Sequence, residues 1–558
     1  MNGSLPEALF AQARSRPNAV ALRWKRRGIW HERSWAQYAA QVQRLAAGLR
    51  RAGLAPAKAV LVQGANSVER LQAELAVIAA GSVALCLDAE ASEADFAALC
   101  AARRPDAIVA DTAAQAGAAR RLGGTPPAAA WLLRGAAAGL PDVAALGGSA
   151  AESAESGISA PANGGEPALI LLTTGSSASP RPVTLSHAAL LGAAERLSTA
   201  TRAGERDILY SFLPAGWIGD RTLATALHPL AGGVLGFPED QSTALADLQE
   251  CGPTLLLAPP RLWQILALAL RGRAGTRGLR ASLVRRALGG NGSTLARGLV
   301  ARPLRDQAGL LHTRLALCAG GPLDARTSGF FRALGMPLRD LYLLTEAGGA
   351  VAIAGAAGAL RLLDGIHAAA RGGEIVLALP EGELATGDAG RLDGAALTLG
   401  GRLASRLDLP TGEQVSTAPL EQALASNTFV RHALLAAGDG RGLSALIELE
   451  DAAVAAWSDA RRAGLAGHAE YVRSPAVHEL LAQAVAEANA SVLEGPRIGA
   501  FEVLDPPLDA GAGELTRLRT VRAPLARERR AAALAELSHD DPARRRRKDE
   551  ARLVSADS

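Results

Sequence analysis

Lysine is almost missing from this chain. It stands at Lys25, Lys58 and Lys548 and nowhere between the last two, although Lys and Arg together number 59 in 558 residues. Any task that an ammonium group would perform in that span falls to a guanidinium or is lost. Cysteine is scarce as well. Cys86, Cys100, Cys251 and Cys318 lie far apart inside apolar runs, none at metal-ligand spacing, which points to buried free thiols. No uninterrupted apolar run reaches the roughly 18 residues of a membrane helix, and the first seven residues carry no apolar signal core. No transmembrane segment and a reducing cytoplasm are therefore expected. A large charge imbalance is also absent. The formal net charge is +4 and the basic residues are mostly scattered, which fits a solvated surface and leaves nucleic acid out of the expected partners.

What the chain has is length and apolar content. Its 558 residues, 49% hydrophobic and 20% charged, describe a globular protein with more than one core. The spacing predicts a short amphipathic helix over 5–16, a hairpin over 20–35, and a helix over 35–51 that stops before Gly53. Strands are predicted at 59–62 and 83–87, with a helix over 68–80 between them. Strand–helix–strand alternation argues for an α/β fold of parallel sheets covered by helices. Residues 112–166 are rich in Ala, Gly, Ser and Pro, and 147–165 is the segment expected to be disordered.

The stretch 168–187 reads A-L-I-L-L-T-T-G-S-S-A-S-P-R-P-V-T-L-S-H. Leu169 to Leu172 suit a short buried strand. Thr173 to Ser179 supply hydroxyls and one glycine, and Pro180 and Pro182 are expected to stop any regular element on either side of Arg181. A strand that feeds a small, hydroxyl-rich turn lets backbone amides approach phosphate oxygens. It is not a Walker A loop, because no Gly-Lys-Ser/Thr follows. By itself the stretch is also compatible with an ordinary Ser/Thr turn after a core strand.

The order Thr-Thr-Gly-Ser-Ser-Ala-x-Pro-Arg-Pro-Val-x-Leu-Ser-His resembles the phosphate loop of the AMP-forming adenylating enzymes, the superfamily that includes the acyl-CoA synthetases. Ala178, Arg181 and Pro182 depart from its usual glycine, lysine and glycine. Further segments resemble that family in the same order: Leu213-Pro-Ala-Gly-Trp217, Leu315 to Asp324 with its Gly320-Gly321 pair, Tyr342-Leu-Leu-Thr345-Glu346, Thr386-Gly-Asp388, Gly401-Arg402, Gly412-Glu413-Gln-Val, and Gly513-Glu-Leu-Thr-Arg-Leu-Arg519. The resemblance runs from about Leu5 to Arg522. It implies a large N-terminal adenylation domain (1–402) of parallel-sheet α/β subdomains plus a small β-barrel-like part. A small mobile C-terminal α+β domain (403–537) and a disordered polar tail (538–558) would follow. Ser405 stands where the family's hinge residue is expected. For the basic run Arg544–Lys548 solvation is expected, with contact to acidic lipid or CoA as the minor alternative.

The resemblance also implies roles. Thr173, Thr174, Gly175, Ser176 and Ser177 would cradle the phosphates of ATP, with Arg181 as the adjoining cation. Gly320 and Gly321 would lie against the adenine beside Tyr342. Asp388 and Arg402 would hold the ribose, and Thr345 and Glu346 the phosphates through Mg²⁺ on Glu346. Trp217 would wall the acyl slot, although a plain core tryptophan fits equally. Gly412 is a further substrate-side candidate. Arg519 falls where the family places a catalytic lysine. Attack of a carboxylate on ATP brings two anions together, so catalysis rests on positioning and positive charge, and no general base is needed. The expected activity is ATP-dependent activation of a carboxylic acid, a medium- or long-chain fatty acid first and an aryl or branched acid second, to acyl-AMP and then to the thioester of coenzyme A. The alternative is a weakened or inactive relative that binds nucleotide or acyl ligand, favoured by Pro182.

Overall fold

A computed structural model of the chain describes residues 3–538, apart from 55, 123–128, 148–162, 174–179, 275–293, 337, 356–357, 381, 439–441, 493–494 and 517. The expected disorder over 147–165 and in the tail falls largely outside these residues.

The opening follows its patterning closely. Helix Leu5–Ser15 starts on a capping box, Ser4 accepting from the Glu7 amide while Glu7 accepts from the Ser4 amide, so two orphan amides are satisfied at once. Helix Trp35–Arg51 starts the same way on Ser34 and Gln37. Between them the strands Val20–Arg26 and Ile29–Ser34 pair as a hairpin, and Val20–Arg26 continues into a four-stranded sheet through Val234–Phe237 and Ile208–Tyr210.

A second sheet has six strands. Ala129–Leu132, Ala107–Ala110, Ala59–Gln63, Val83–Leu87 and Pro167–Leu172 run parallel in that spatial order. The strands Ala59–Gln63 and Val83–Leu87 are buried at every position, as parallel strands covered by helices on both faces must be. The sixth strand, Pro182–Ser186, is antiparallel to Pro167–Leu172. This corrects the expectation that Pro182 excludes regular structure. It is the first residue of a strand, a place where a sheet tolerates a missing amide.

The third sheet has nine strands. Leu255–Ala258, Leu315–Cys318 and Leu338–Leu344 are parallel. From Gly349–Ala354 onward the strands are antiparallel, through Leu360–Leu362, Ala396–Arg402, Gly382–Asp393, Glu374–Leu379 and His367–Arg371. This antiparallel run occupies the place of the expected small β-barrel-like part. Beyond Leu407 a two-stranded ladder and a three-stranded sheet (Val430–Ala437, Leu443–Leu449, Ile498–Val503) are covered by helices such as Pro475–Ser491.

The cores divide along the chain. The one built on the three-stranded sheet draws only on residues from Leu407 to Val503. The largest core draws on residues from Leu5 to Leu363, with one late addition, Leu518. Contacts across the two parts are few and specific. The Arg261 guanidinium pairs with the Glu450 carboxylate, and the Gln264 amide, which also donates to Asp324 Oδ2 within the large part (3.1 Å), donates across to the Ala425 carbonyl (3.5 Å). Of the four thiols, Cys86, Cys251 and Cys318 are buried as expected, but Cys100 is only half-buried at the edge of its core.

Candidate active site

The hydroxyl-rich loop leaves the sheet through a closed neck. The Thr173 amide donates to the Arg181 carbonyl (2.8 Å), and the Arg181 amide donates to Thr173 Oγ1 (3.0 Å). Thr173 and Arg181 are thus fixed opposite each other by the pairing of the two strands. The candidates Thr174, Gly175, Ser176 and Ser177, and the departure Ala178, lie outside the described residues. Arg181 is open to solvent (78% exposed) and its Nη2 lies 3.8 Å from Glu346 Oε1. At that distance neither group is neutralised, and both remain available to a ligand.

Thr345 and Glu346 form the turn between Leu338–Leu344 and Gly349–Ala354, closed by the Gly348 amide on the Thr345 carbonyl (3.0 Å). Gly348 has φ +74°, and a Cβ there would stand 2.8 Å from the Ala189 carbonyl oxygen. The turn is therefore pressed against helix His187–Thr201, which begins just after the loop, and no larger residue fits.

Asp388 and Arg402 are directly opposite in register on neighbouring strands. Arg402 Nε lies 3.1 Å from Asp388 Oδ1, and Tyr342 Oη donates to Asp388 Oδ2 (2.5 Å). Arg402 is itself tied to the Thr386 carbonyl (2.7 Å), and the Gly387 amide donates to Glu374 Oε1 (2.7 Å). Burial pushes the Asp388 carboxyl above the usual carboxylate range despite Arg402 and Tyr342, and Glu346 and Glu374 push the same way. Burial, then the Asp388 charge, also hold the Tyr342 phenol above its ordinary value. A buried carboxylate with one cation and one exchangeable hydroxyl partner is suited to accept hydrogen bonds from a vicinal diol.

Trp217 is buried (3% exposed) and its ring covers Gly219, where a Cβ would overlap it. The far edge of the ring comes within 3.7 Å of the Cβ position of Gly320, and Leu518 Cδ1 within 2.6 Å of the same point. Gly320 has φ +90°, so a side chain is excluded by conformation and by space. Gly321 follows, its Cβ position 3.5 Å from Pro260 Cγ. Leu518 carries Arg519 with it. That guanidinium is 60% exposed, with Nη2 3.9 Å from Glu90 Oε2 across the two parts of the chain. Trp217, Gly320 and Leu518 therefore meet, as do Arg181 with Glu346 and Tyr342 with Asp388 and Arg402, while Arg519 reaches Glu90. Gly412 is not brought in. It occupies an open turn after Leu407–Asp408, with nothing within 4 Å of its Cβ position.

Several supporting residues were not apparent in the motifs. Asp340 accepts from the Leu323 backbone and so pins the turn that follows Gly320-Gly321; burial pushes its carboxyl up to about 6. Its signal is one carboxylate in the apolar strand Leu338–Leu344. Behind Trp217 lies a fully buried ionic cluster. Glu74 Oε2 takes Arg70 Nη1 and Arg221 Nη1, both at 2.8 Å, Glu74 Oε1 takes Thr225 Oγ1 (2.7 Å), and Asp220 pairs with Arg221 and Ser211. Burial opposes the Glu74 charge, but Arg221 and Arg70 outweigh it and hold its carboxyl low. Among the described residues, no group of three or more His, Cys, Asp or Glu could hold a metal, and no helix is long and apolar enough to cross a membrane.

Known proteins carry this arrangement further. The family model described as "AMP-binding enzyme" matches residues 9–392. The chain is 25% identical to the long-chain-fatty-acid–CoA ligase FadD15 of Mycobacterium bovis, over 92% of this chain and 93% of that protein. It is 26% identical to a putative fatty-acid–CoA ligase, fadD11, of Mycobacterium tuberculosis, over 62% and 69% respectively. In fold it is similar to the adenylation domain of a carboxylate reductase from Mycobacterium chelonae, with a TM-score of 0.77 at 16% identity over 96% of this chain and 91% of that one. It is likewise similar to a benzoate CoA ligase from Burkholderia xenovorans LB400, with a TM-score of 0.68 at 15% identity over 93% and 98%. An ordered series of segments that resemble the family's motifs, a mixed α/β fold of parallel sheets and a family match across more than two-thirds of the sequence agree: the chain belongs to the AMP-binding enzyme family.

Proposed function

We propose that the protein is an AMP-forming acid–thiol ligase that activates a carboxylic acid, a medium- or long-chain fatty acid, with ATP and passes the acyl group to coenzyme A in the cytoplasm. The observation that carries this reading is the seating of Leu518, from the part beyond Leu407, against Gly320 and beside Trp217 of the large part, with Arg519 next in sequence and its guanidinium near Glu90. In this reading a cation from the late part would stand near a nucleotide-binding turn. Residues 1–402 would hold the nucleotide and 403–537 would form the small moving domain.

In this reading Asp388 and Arg402 fasten the ribose, Tyr342 releasing its hydroxyl from Asp388 as the diol arrives. Gly320 and Gly321 let the flat base lie on the backbone. Arg181 and Arg519 flank the phosphates, and their guanidinium groups lower the repulsion between the acid and the α-phosphate as the new P–O bond forms and pyrophosphate leaves. Glu346 fits a Mg²⁺ site: it is a hard oxygen donor, partly exposed and only loosely engaged by Arg181, and this ion keeps most of its waters and binds through one or two carboxylates plus phosphates. When bound, the ion would screen phosphate charge. Thr345, buried beside Glu346, would orient it. Trp217 would close the acyl side. Pro182, the residue that favoured an inactive relative, sits at a strand start that accommodates it.

The test is carboxylate-dependent exchange of labelled pyrophosphate into ATP, run over straight-chain, branched and aryl acids, with thioester formation measured alongside. Exchange with a fatty acid is expected, and Glu346→Ala is expected to abolish it. Bound ATP with no exchange for any acid would replace this reading with that of a ligand-binding relative.

A further inference from the structure

The Arg519 backbone is held in an unusual way. Arg519 has φ +57°, the left-handed region, where a residue with a Cβ persists only if its surroundings enforce it. Its amide donates to the Thr516 carbonyl (2.9 Å), and the Thr516 and Thr520 hydroxyls meet at 2.6 Å, closing a tight turn between Leu515 and Val521. Within the turn, the peptide unit that carries the Arg519 carbonyl is held at its amide end, the Thr520 N–H donating to Thr516 Oγ1 (3.2 Å). His432 holds the carbonyl end from outside the turn: Nε2 lies 2.8 Å from that oxygen, 87 residues away in sequence.

The imidazole is itself fixed. His432 and Glu448 are direct cross-strand partners in the three-stranded sheet. His432 Nδ1 lies 3.0 Å from Glu448 Oε2, and both side chains are nearly buried, at 11% and 4% exposure. Arg431 Nη1 reaches the other oxygen of Glu448 at 3.7 Å. A carbonyl oxygen only accepts, so Nε2 is the donor to it, and Nδ1 faces the Glu448 carboxyl that fixes the ring's orientation. A carboxylate thus orients a ring, and the ring orients one peptide unit. With that unit turned this way, Leu518 reaches Gly320 and the guanidinium of Arg519 projects over the large part toward Glu90.

We propose that His432, backed by Glu448, is the positioning residue for Arg519, locking its left-handed backbone so that the guanidinium points at the site where acid and ATP react. This rests on the role given above to Arg519 in adenylation. The test uses the full chain and three variants. His432→Leu keeps bulk without the donor, His432→Gln keeps an N–H at similar reach, and Arg519→Ala removes the positioned group.

Three readouts are compared: backbone amide deuterium exchange over 515–521, carboxylate-dependent pyrophosphate exchange, and CoA thioester formation from synthetic acyl-AMP. His432→Leu is expected to speed amide exchange at 519–520 and to slow pyrophosphate exchange, each by about tenfold, the scale of one lost buried hydrogen bond. Thioester formation from acyl-AMP should stay within about twofold, because it does not bring acid and ATP together. His432→Gln should restore most of both losses. If Arg519→Ala abolishes pyrophosphate exchange while His432→Leu leaves that activity and the amide exchange at wild-type level, the positioning role falls alone. If His432→Gln is as impaired as His432→Leu, the ring serves packing and the proposal also falls. If Arg519→Ala keeps full pyrophosphate exchange, the catalytic assignment of Arg519 fails, and the proposal with it.

Discussion

At the scale of single residues, the site depends on groups whose surroundings move them off their ordinary chemistry. Asp340 is the clearest. Burial, offset only by the Leu323 amide, pushes its carboxyl from the ordinary 3.8 up to about 6. The folded state therefore holds the proton more tightly than the unfolded chain. That contribution to stability is complete below about pH 4 and is lost as pH rises through 6. Asp340→Asn keeps the acceptor and removes the charge. The melting temperature of the variant minus that of the wild type should grow from pH 4 to pH 7, in the variant's favour, and a difference that does not change with pH would contradict the assignment. Glu74 is the opposite case. Glu74→Gln would leave Arg70 and Arg221 buried with one anion between them, Asp220. A loss of about 3–5 kcal/mol is expected, read as a lower urea midpoint, since breaking a buried pair strands a charge. A shift below about 1 kcal/mol would mean that the cluster relaxes around the change.

At the scale of elements, much of the fold was legible. Helix Trp35–Arg51 and strand Val83–Leu87 match their spacing to the residue, because local period and stop signals decide such boundaries. The order of site segments was legible too, since each stands on a strand end or a turn. What was not legible is whatever closes over distance. Nothing in the sequence pairs Tyr342 with Asp388, 46 residues on, or lays Trp217 over Gly219 and against Gly320. Pro182 was misjudged because a proline forbids an interior strand position but permits the first one. The acidic residues behind Trp217 gave no signal, because Glu74 and Arg70 at helical spacing look like a surface pair until the burial of their helix is known.

At the scale of the whole molecule, the part beyond Leu407 touches the rest through few groups among the described residues, and the Arg261–Glu450 ion pair is one of them. Arg261→Ala should loosen that seat. Trypsin cleavage after Arg402 or Arg406, flanking the Leu403–Ser405 turn, is expected to speed up several-fold, and an unchanged rate would show that the pair does not hold the parts together. The seat of Leu518 has a different consequence. If the late part rotates as proposed, this one leucine would leave the early core for water, at about 2 kcal/mol. That amounts to roughly thirtyfold in a two-position equilibrium. A detent of this depth would keep such an arm home between encounters, yet a single well-bound substrate would suffice to spring it.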